Sequence, residues 1–235
     1  MLLDVQDLEV AYGDYQVVWG VSLSVSAGES VALLGPNGSG KSTVVNTISG
    51  LLAVKAGEIR FEGVSLVGRP THVRASLGLA HVLERRRVFP HLTVLQNLTL
   101  GAWHSAAKAA RARTAERVFT LFPRLLERQN QLARTLSGGE QQMLAVGRGL
   151  MALPRLLMVD EPFLGLAPQV VEQMKSVFGS LQAEGMAILF IEQNVRLALS
   201  LATRGYILES GRLAIEGPAA NLVNSTEVRR IFLGA

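Results

Sequence analysis

The chain has 235 residues, about half of them hydrophobic, with 23 lysines and arginines against 19 acids and an isoelectric point near 9.8. That length suits one large domain, or one domain with a lobe, and the apolar content is enough for a substantial core. Disulfides and thiolate metal sites are excluded because there is no cysteine, and no uncharged apolar run approaches the ~18 residues of a membrane span. The four histidines (His72, His81, His91 and His104) show no metal-ligand spacing. A net charge of +4 permits contact with nucleic acid or anionic lipid but demands neither. The opening Met1-Leu2-Leu3-Asp4 lacks the basic region and apolar core of a secretory signal, so cytosol is the expected compartment.

The first sixty residues alternate apolar and polar, as in Leu8-Glu9-Val10 and Val21-Ser22-Leu23-Ser24-Val25, which predicts antiparallel strands with one wet face. Residues 31–34 form a short apolar run with the look of a buried strand. A glycine-rich segment follows, then a predicted helix over 41–49 stopped by Gly50. Strands are predicted at 58–61 and 77–82. From about 93 to 130 the pattern is helical; residues 106–122 carry Val118, Leu121 and Phe122 on one stripe, and Pro123 is expected to end that helix. From Ser137 on, the order is helix, strand, helix, strand, helix, strand, which predicts a parallel sheet with crossover helices. Gly211 reads as the turn of a late hairpin, and a short helix is expected over 226–233. The expected fold is α/β: a single domain over 1–235 with an N-terminal antiparallel β lobe and a mostly helical insert at roughly 90–151.

Gly35-Pro36-Asn37-Gly38-Ser39-Gly40-Lys41-Ser42-Thr43 matches G-x-x-x-x-G-K-[ST] in full, between the predicted strand and helix. This is a P-loop, and it predicts ATP and Mg²⁺ as ligands. Its glycines let the backbone approach phosphate oxygens, and successive N–H groups with the helix N-terminus cradle anions. Lys41 is expected to neutralise the β- and γ-phosphates, Ser42 to ligand Mg²⁺, and Thr43 to add a phosphate hydrogen bond. Leu156-Leu157-Met158-Val159-Asp160-Glu161 is an apolar strand ending in two carboxylates. Ligands of open α/β sheets bind at strand carboxyl ends, so Asp160 is expected to hold Mg²⁺ and Glu161 to orient the attacking water.

The third element is Leu136-Ser137-Gly138-Gly139-Glu140-Gln141. Ser137 with Glu140 is a capping box, but a capping box does not call for two adjacent glycines, which weaken a helix. Gly138 and Gly139 make sense if a phosphate must come close to this helix N-terminus. One P-loop already serves one ATP, so a second phosphate site implies a second chain.

This segment resembles the signature motif of the ATP-binding cassette (ABC) ATPases, and the resemblance covers almost the whole chain in order and spacing. It implies a P-loop NTPase with a helical signature subdomain. It also implies a head-to-tail dimer in which each ATP lies between one subunit's P-loop and Ser137, Gly138, Gly139 and Glu140 of the other. Tyr12 matches the family's adenine-stacking aromatic; an N-terminal tyrosine packed on the core is the plainer alternative. The resemblance places Glu84 where the family usually has a Gln that touches Mg²⁺ and the attacking water. Gln193 stands where a γ-phosphate-sensing His is usual, and Ala167 where many relatives have Asp. A carboxylate at Glu84 can ligand the metal but cannot donate a hydrogen bond, whereas the Gln193 amide can donate and does not titrate.

Glu84, Gln193 and the Gly165-Leu166-Ala167-Pro168 loop together resemble one branch, the smaller (LivF-type) ATPase of branched-chain amino acid importers. Urea and short-amide importers share much of the pattern. That branch implies two integral membrane permease partners, a sister ATPase subunit, and indirectly a solute-binding protein. The expected place is the cytoplasmic face of the membrane, peripherally bound, with no nucleic acid as partner. A C-terminal regulatory domain of the kind found in sugar-importer cassettes is not expected. Arg85-Arg86-Arg87 reads either as a solvated basic face or as part of the permease contact, where Phe89, Pro90, His91 and Leu92 are apolar candidates. Two other readings stand beside the importer: a soluble ABC ATPase acting on nucleic acid, and an exporter cassette.

Overall fold

The computed structural model describes residues 1–233. Strands β1 (Leu3–Tyr12) and β2 (Tyr15–Val25) pair antiparallel across Gly13-Asp14. Their alternation is the reason: Leu3, Val5, Leu8 and Val10 are buried while Gln6 and Asp7 are exposed. Strand β3 (Ser30–Leu34) is buried at every position. Helix α1 (Lys41–Ser49) starts after Gly40 and closes on left-handed Gly50, whose N–H reaches the Asn46 and Thr47 carbonyls.

Strands β4 (Ala56–Phe61) and β5 (Val64–Ser65) complete a four-stranded antiparallel sheet in the order β2-β1-β4-β5. Helix α2 (Thr71–Ser76) precedes β6 (Leu79–Val82). The strand expected over 77–82 starts two residues later, because Leu77 closes α2 and Gly78 turns the chain at φ 102°. From α2, Arg74 reaches the Thr47 and Ile48 carbonyls at 2.7 and 2.9 Å and so caps the far end of α1 with a cation.

The helical segment holds α3 (Val94–Gly101), α4 (Ser105–Ala109), α5 (Arg111–Leu121), α6 (Pro123–Glu127) and α7 (Gly138–Leu150). The single helix expected over 106–122 is two helices, parted where Ala110 leaves helical geometry at ψ 3°. Val118 and Phe122 are buried as the stripe predicts, whereas Leu121 is half-buried and Phe119 shares the inner face. Pro123 does more than end α5: its preset φ and missing N–H suit the first position of α6.

The rest alternates as expected: β7 (Leu156–Asp160), α8 (Pro168–Ala183), β8 (Ala187–Glu192), α9 (Val195–Leu199) and β9 (Arg204–Glu209). Then come β10 (Arg212–Pro218), α10 (Ala219–Leu222) and α11 (Thr226–Leu233). The central sheet runs β10-β9-β3-β8-β7-β6, parallel except for the edge strand β10. Its middle strands are buried on both faces, which explains their unbroken apolar runs. One face packs on α1 and the antiparallel sheet, the other on α7 and α8. The short elements β5, α2 and α10 have no counterpart in the sequence expectations. Among the described residues, no helix is long and apolar enough to cross a membrane.

Candidate functional site

The carboxyl ends of β3, β7 and β8 meet at one side of the sheet, and the loops that leave them wall a cavity of about 560 Å³. It is lined by Asn37, Gly38, Gly40, Lys41, Ser42 and Thr43 from the loop before α1, by Glu84 and Arg85 after β6, by Glu161 and Leu164 after β7, and by Gln193 after β8. Lys41 is 6% exposed, and its ammonium donates to the carbonyls of Gly35 at 2.8 Å and Pro36 at 3.1 Å. The loop is thus closed on its own cation. Burial lowers the Lys41 pKa, and the neighbouring Glu161 and Asp160 oppose that shift. A further prop comes from the late hairpin: Gly211 donates to the Ser39 carbonyl at 3.0 Å and accepts from the Trp19 N–H at 2.8 Å. Only glycine fits there, since a Cβ would fall 1.9 Å from the Val17 carbonyl oxygen. Tyr12, half exposed, lies beside the loop with its hydroxyl 3.4 Å from the Thr43 hydroxyl.

Asp160 ends β7 and is 4% exposed, with Oδ1 unpartnered. Burial lifts its pKa to about 6; a hydrogen bond with Ser42 pulls the other way, and Glu161 and Glu84 add to the rise. Glu161 stands in left-handed backbone at φ 48°, its N–H donating to the Ile191 carbonyl at 2.9 Å. The Gln193 amide donates to Glu161 Oε1 at 2.8 Å. Glu84 pairs with Arg85 at 3.3 Å. No group of three or more His, Asp or Glu among the described residues is placed to hold a metal by itself.

Ser137, Gly138, Gly139 and Glu140 do not line this cavity. They open α7 as a reciprocal capping box: the Ser137 hydroxyl accepts from the Glu140 N–H at 3.3 Å, and the Glu140 carboxylate accepts from the Ser137 N–H at 2.8 Å. Arg128 holds the same carboxylate at 2.9 Å. Both polar groups are therefore engaged inside the chain. The two glycines are also close-packed: a Cβ on Gly138 would lie 2.9 Å from both terminal nitrogens of Arg86, and one on Gly139 would lie 2.9 Å from a Val170 methyl. Residues 85–87 that bring Arg86 there are all left-handed, at φ 61°, 66° and 44°.

Three features of this region escape sequence reasoning. Arg86 covers a glycine 52 positions away in the chain. The Gly211 turn supports the P-loop. Glu192, one residue before Gln193, is a buried acid in the site, 3% exposed; its only sequence signal is a charge at the end of an apolar strand.

Residues 18–164 match the family model described as ABC transporter. The high-affinity branched-chain amino acid transport ATP-binding protein BraG of Pseudomonas aeruginosa is 43% identical over 233 residues, covering 99% of this chain and all of that one. The lipopolysaccharide export system ATP-binding protein LptB of Haemophilus influenzae is 32% identical over 235 residues, covering 99% and 97%. A crystal structure of a nucleotide-free ATP-binding cassette from an ABC transporter aligns with a TM-score of 0.88 at 25% identity, covering 100% of this chain and 99% of that one.

Proposed function

The chain belongs to the ABC transporter ATPase family, and from that premise we propose that it energises the import of branched-chain amino acids through separate membrane permeases. Binding and hydrolysis of ATP go with the family. The solute class rests on one observation: the identity to BraG is 43% over the full chain, against 32% to the export protein LptB. An exporter cassette is the second reading, favoured only by that lower likeness. Deleting the gene and measuring uptake of labelled leucine, isoleucine, valine and urea tests the proposal. Loss of the three amino acids is expected; undiminished uptake of them sinks it.

The site chemistry follows from the cavity. Incoming β- and γ-phosphates offer Lys41 charged acceptors in place of the Gly35 and Pro36 carbonyls, and the N–H groups of residues 38–43 close around them. Gly35, Pro36, Asn37, Gly38, Ser39, Gly40, Ser42 and Thr43 form that cradle, and Tyr12 beside it stacks on the base. A divalent cation suits the donor set: Asp160 presents a buried oxygen without a partner, Ser42 lies within hydrogen-bond reach of it, and Glu84 adds a carboxylate. A hard ion bound through few protein oxygens and the phosphates fits Mg²⁺. When bound it neutralises phosphate charge. Glu161 accepts a hydrogen bond from the attacking water and aims it. Gln193 holds Glu161 in place through its amide, a duty that leaves its second N–H for the γ-phosphate.

Ser137, Gly138, Gly139 and Glu140 act on the ATP of a second cassette, a sister subunit in a head-to-tail dimer. The reading is supported by their absence from this chain's own cavity. A cleft of about 490 Å³ between α1, α2 and β6 on one side and α3 and α7 on the other supports a permease contact. Its rim exposes Leu51, Phe89, Leu100 and Trp103, the surface that an amphipathic helix covers. The whole of 1–235 then works as one domain, peripheral on the cytoplasmic face of the membrane, with a solute-binding protein acting from the other side.

A further inference from the structure

Strands β7 and β8 are neighbours in register, with Asp160 opposite Ile191. Glu161 and Glu192 therefore leave the sheet side by side. Successive side chains on a strand point to opposite faces, so Gln193 turns to Glu161 while Glu192 turns inward. Its carboxyl is 3% exposed and has no cation within ion-pair distance among the described residues. Burial, and then the charge of Glu161, push its pKa up. An apolar side chain would fill such a position at less cost.

The carboxyl is nonetheless hydrogen-bonded. Glu192 Oε1 accepts from the Phe163 N–H at 3.4 Å, and the backbone of Gln193 and Asn194 also donates to the group. Phe163 lies two residues after Glu161, in the loop that continues to α8. A cavity of about 230 Å³ separates that loop from the end of β8, walled by Glu161, Gly165, Glu192 and Gln193. The Phe163 ring packs in the core against Phe178 with centroids 5.9 Å apart, while its N–H faces that gap and is met by Glu192. Glu161 sits in the strained left-handed region, and such a conformation persists only where its surroundings over-determine it. Ile191 fixes its N–H and Gln193 its carboxylate; in the following loop the Phe163 ring is fixed by Phe178 and the Phe163 N–H by Glu192.

We infer that Glu192 is a positioning residue for hydrolysis: its buried carboxyl anchors the Phe163 N–H to the end of β8 and thereby holds the strained Glu161 turn in its reactive geometry. The inference rests on the ATPase reading above and adds to it a residue that does not line the cavity at the P-loop. The Glu192 carboxyl also joins the loop after Glu161 to the Gln193 segment, so the two carry any displacement together.

The test is steady-state ATP hydrolysis by the assembled cassette dimer, with ADP affinity of the purified chain measured in parallel, for Glu192→Gln, Glu192→Met and Glu192→Ala. The Gln variant keeps an acceptor for the Phe163 N–H and is expected within about threefold of wild type. The Met and Ala variants are expected to lose kcat by roughly ten- to a hundredfold, with KM for ATP and ADP affinity within about twofold, as misplacement of a reacting group costs. Wild-type turnover by Glu192→Met overturns the inference. So does a loss of ADP affinity in step with kcat, or a Gln variant as slow as the Met variant. If Glu192→Met fails to fold, Glu192→Thr, smaller and suited to a strand, takes its place in the same comparison. Absence of hydrolysis by the wild-type cassette dimer strikes the ATPase reading instead, and so is told apart.

Discussion

Residues 35–43 and residues 137–140 are both glycine-rich, both precede a helix, and both are read as binding the same kind of phosphate. They are built differently. The first is built within the chain: Lys41 closes it, Gly211 props it, and the carboxylates of Glu84 and Glu161 face it across one cavity. The second has its capping groups satisfied internally and a guanidinium over its first glycine. The difference matches the reading proposed above, in which one chain supplies nucleotide affinity and a second surface is brought to it for turnover. A phosphate site inside a stable fold can be preorganised without risk.

The contrast breaks or sharpens at three points. The largest effect is expected for Glu161→Gln, which should lower turnover by about 10²–10³-fold, by analogy with other lost transition-state contacts. Nucleotide binding should survive, so ATP-dependent dimers should accumulate on size exclusion. Near-normal turnover would show that Glu161 is not the group that aims the water. Gly138→Ala comes next. Its new methyl meets only the flexible end of Arg86, so ADP affinity should stay within about twofold while ATP turnover falls by about tenfold, the size of a single weakened contact. A parallel loss of ADP affinity would erase the distinction between the two segments.

The third effect is on stability, with none expected on turnover. His81 on β6 reaches Ser49 of α1 with Nδ1 at 3.2 Å, leaves Nε2 unpartnered, and lines the cleft that α7 closes. Burial lowers its pKa to about 4. The folded chain thus resists the proton that the unfolded chain takes up near pH 6.5, and stability falls as pH drops from about 6.5 towards 4. The loss through this group reaches about 3 kcal/mol at pH 4 and is absent above pH 7. Denaturant unfolding of wild type and His81→Gln at several pH values should show curves that converge as the pH falls. A constant gap would contradict a neutral buried histidine.

Much of this was legible in order. The P-loop is contiguous, so residue types, spacing and flanking elements all speak at once, and helix α1 ends where Gly50 says it must. The strand Leu156–Asp160 carries its own marker, an apolar run ending in acid. Less legible were α2, β5 and α10, whose few residues take their shape from tertiary contacts such as Arg74 on α1. The break at Ala110 has no marker at all, since alanine is the best helix former and only the path of the chain parts the two helices. Glu192 and Gln193 exchange roles with a one-residue change of strand register, and that register is fixed by a partner strand about thirty residues away. Arg86 over Gly138 is a contact between segments that share no pattern.

The three left-handed arginines have one more consequence. Glu84 and Arg85 line the cavity at the P-loop, Arg86 lies over Gly138, and the Arg87 carbonyl accepts from Arg148 at 2.6 Å in the cleft between β6 and α7, where Phe89 lies under the same guanidinium. Five or six residues of one tether therefore end in three separate rooms of the molecule. A tether so short has no slack. The backbone of these few residues fixes one wall of each room at once.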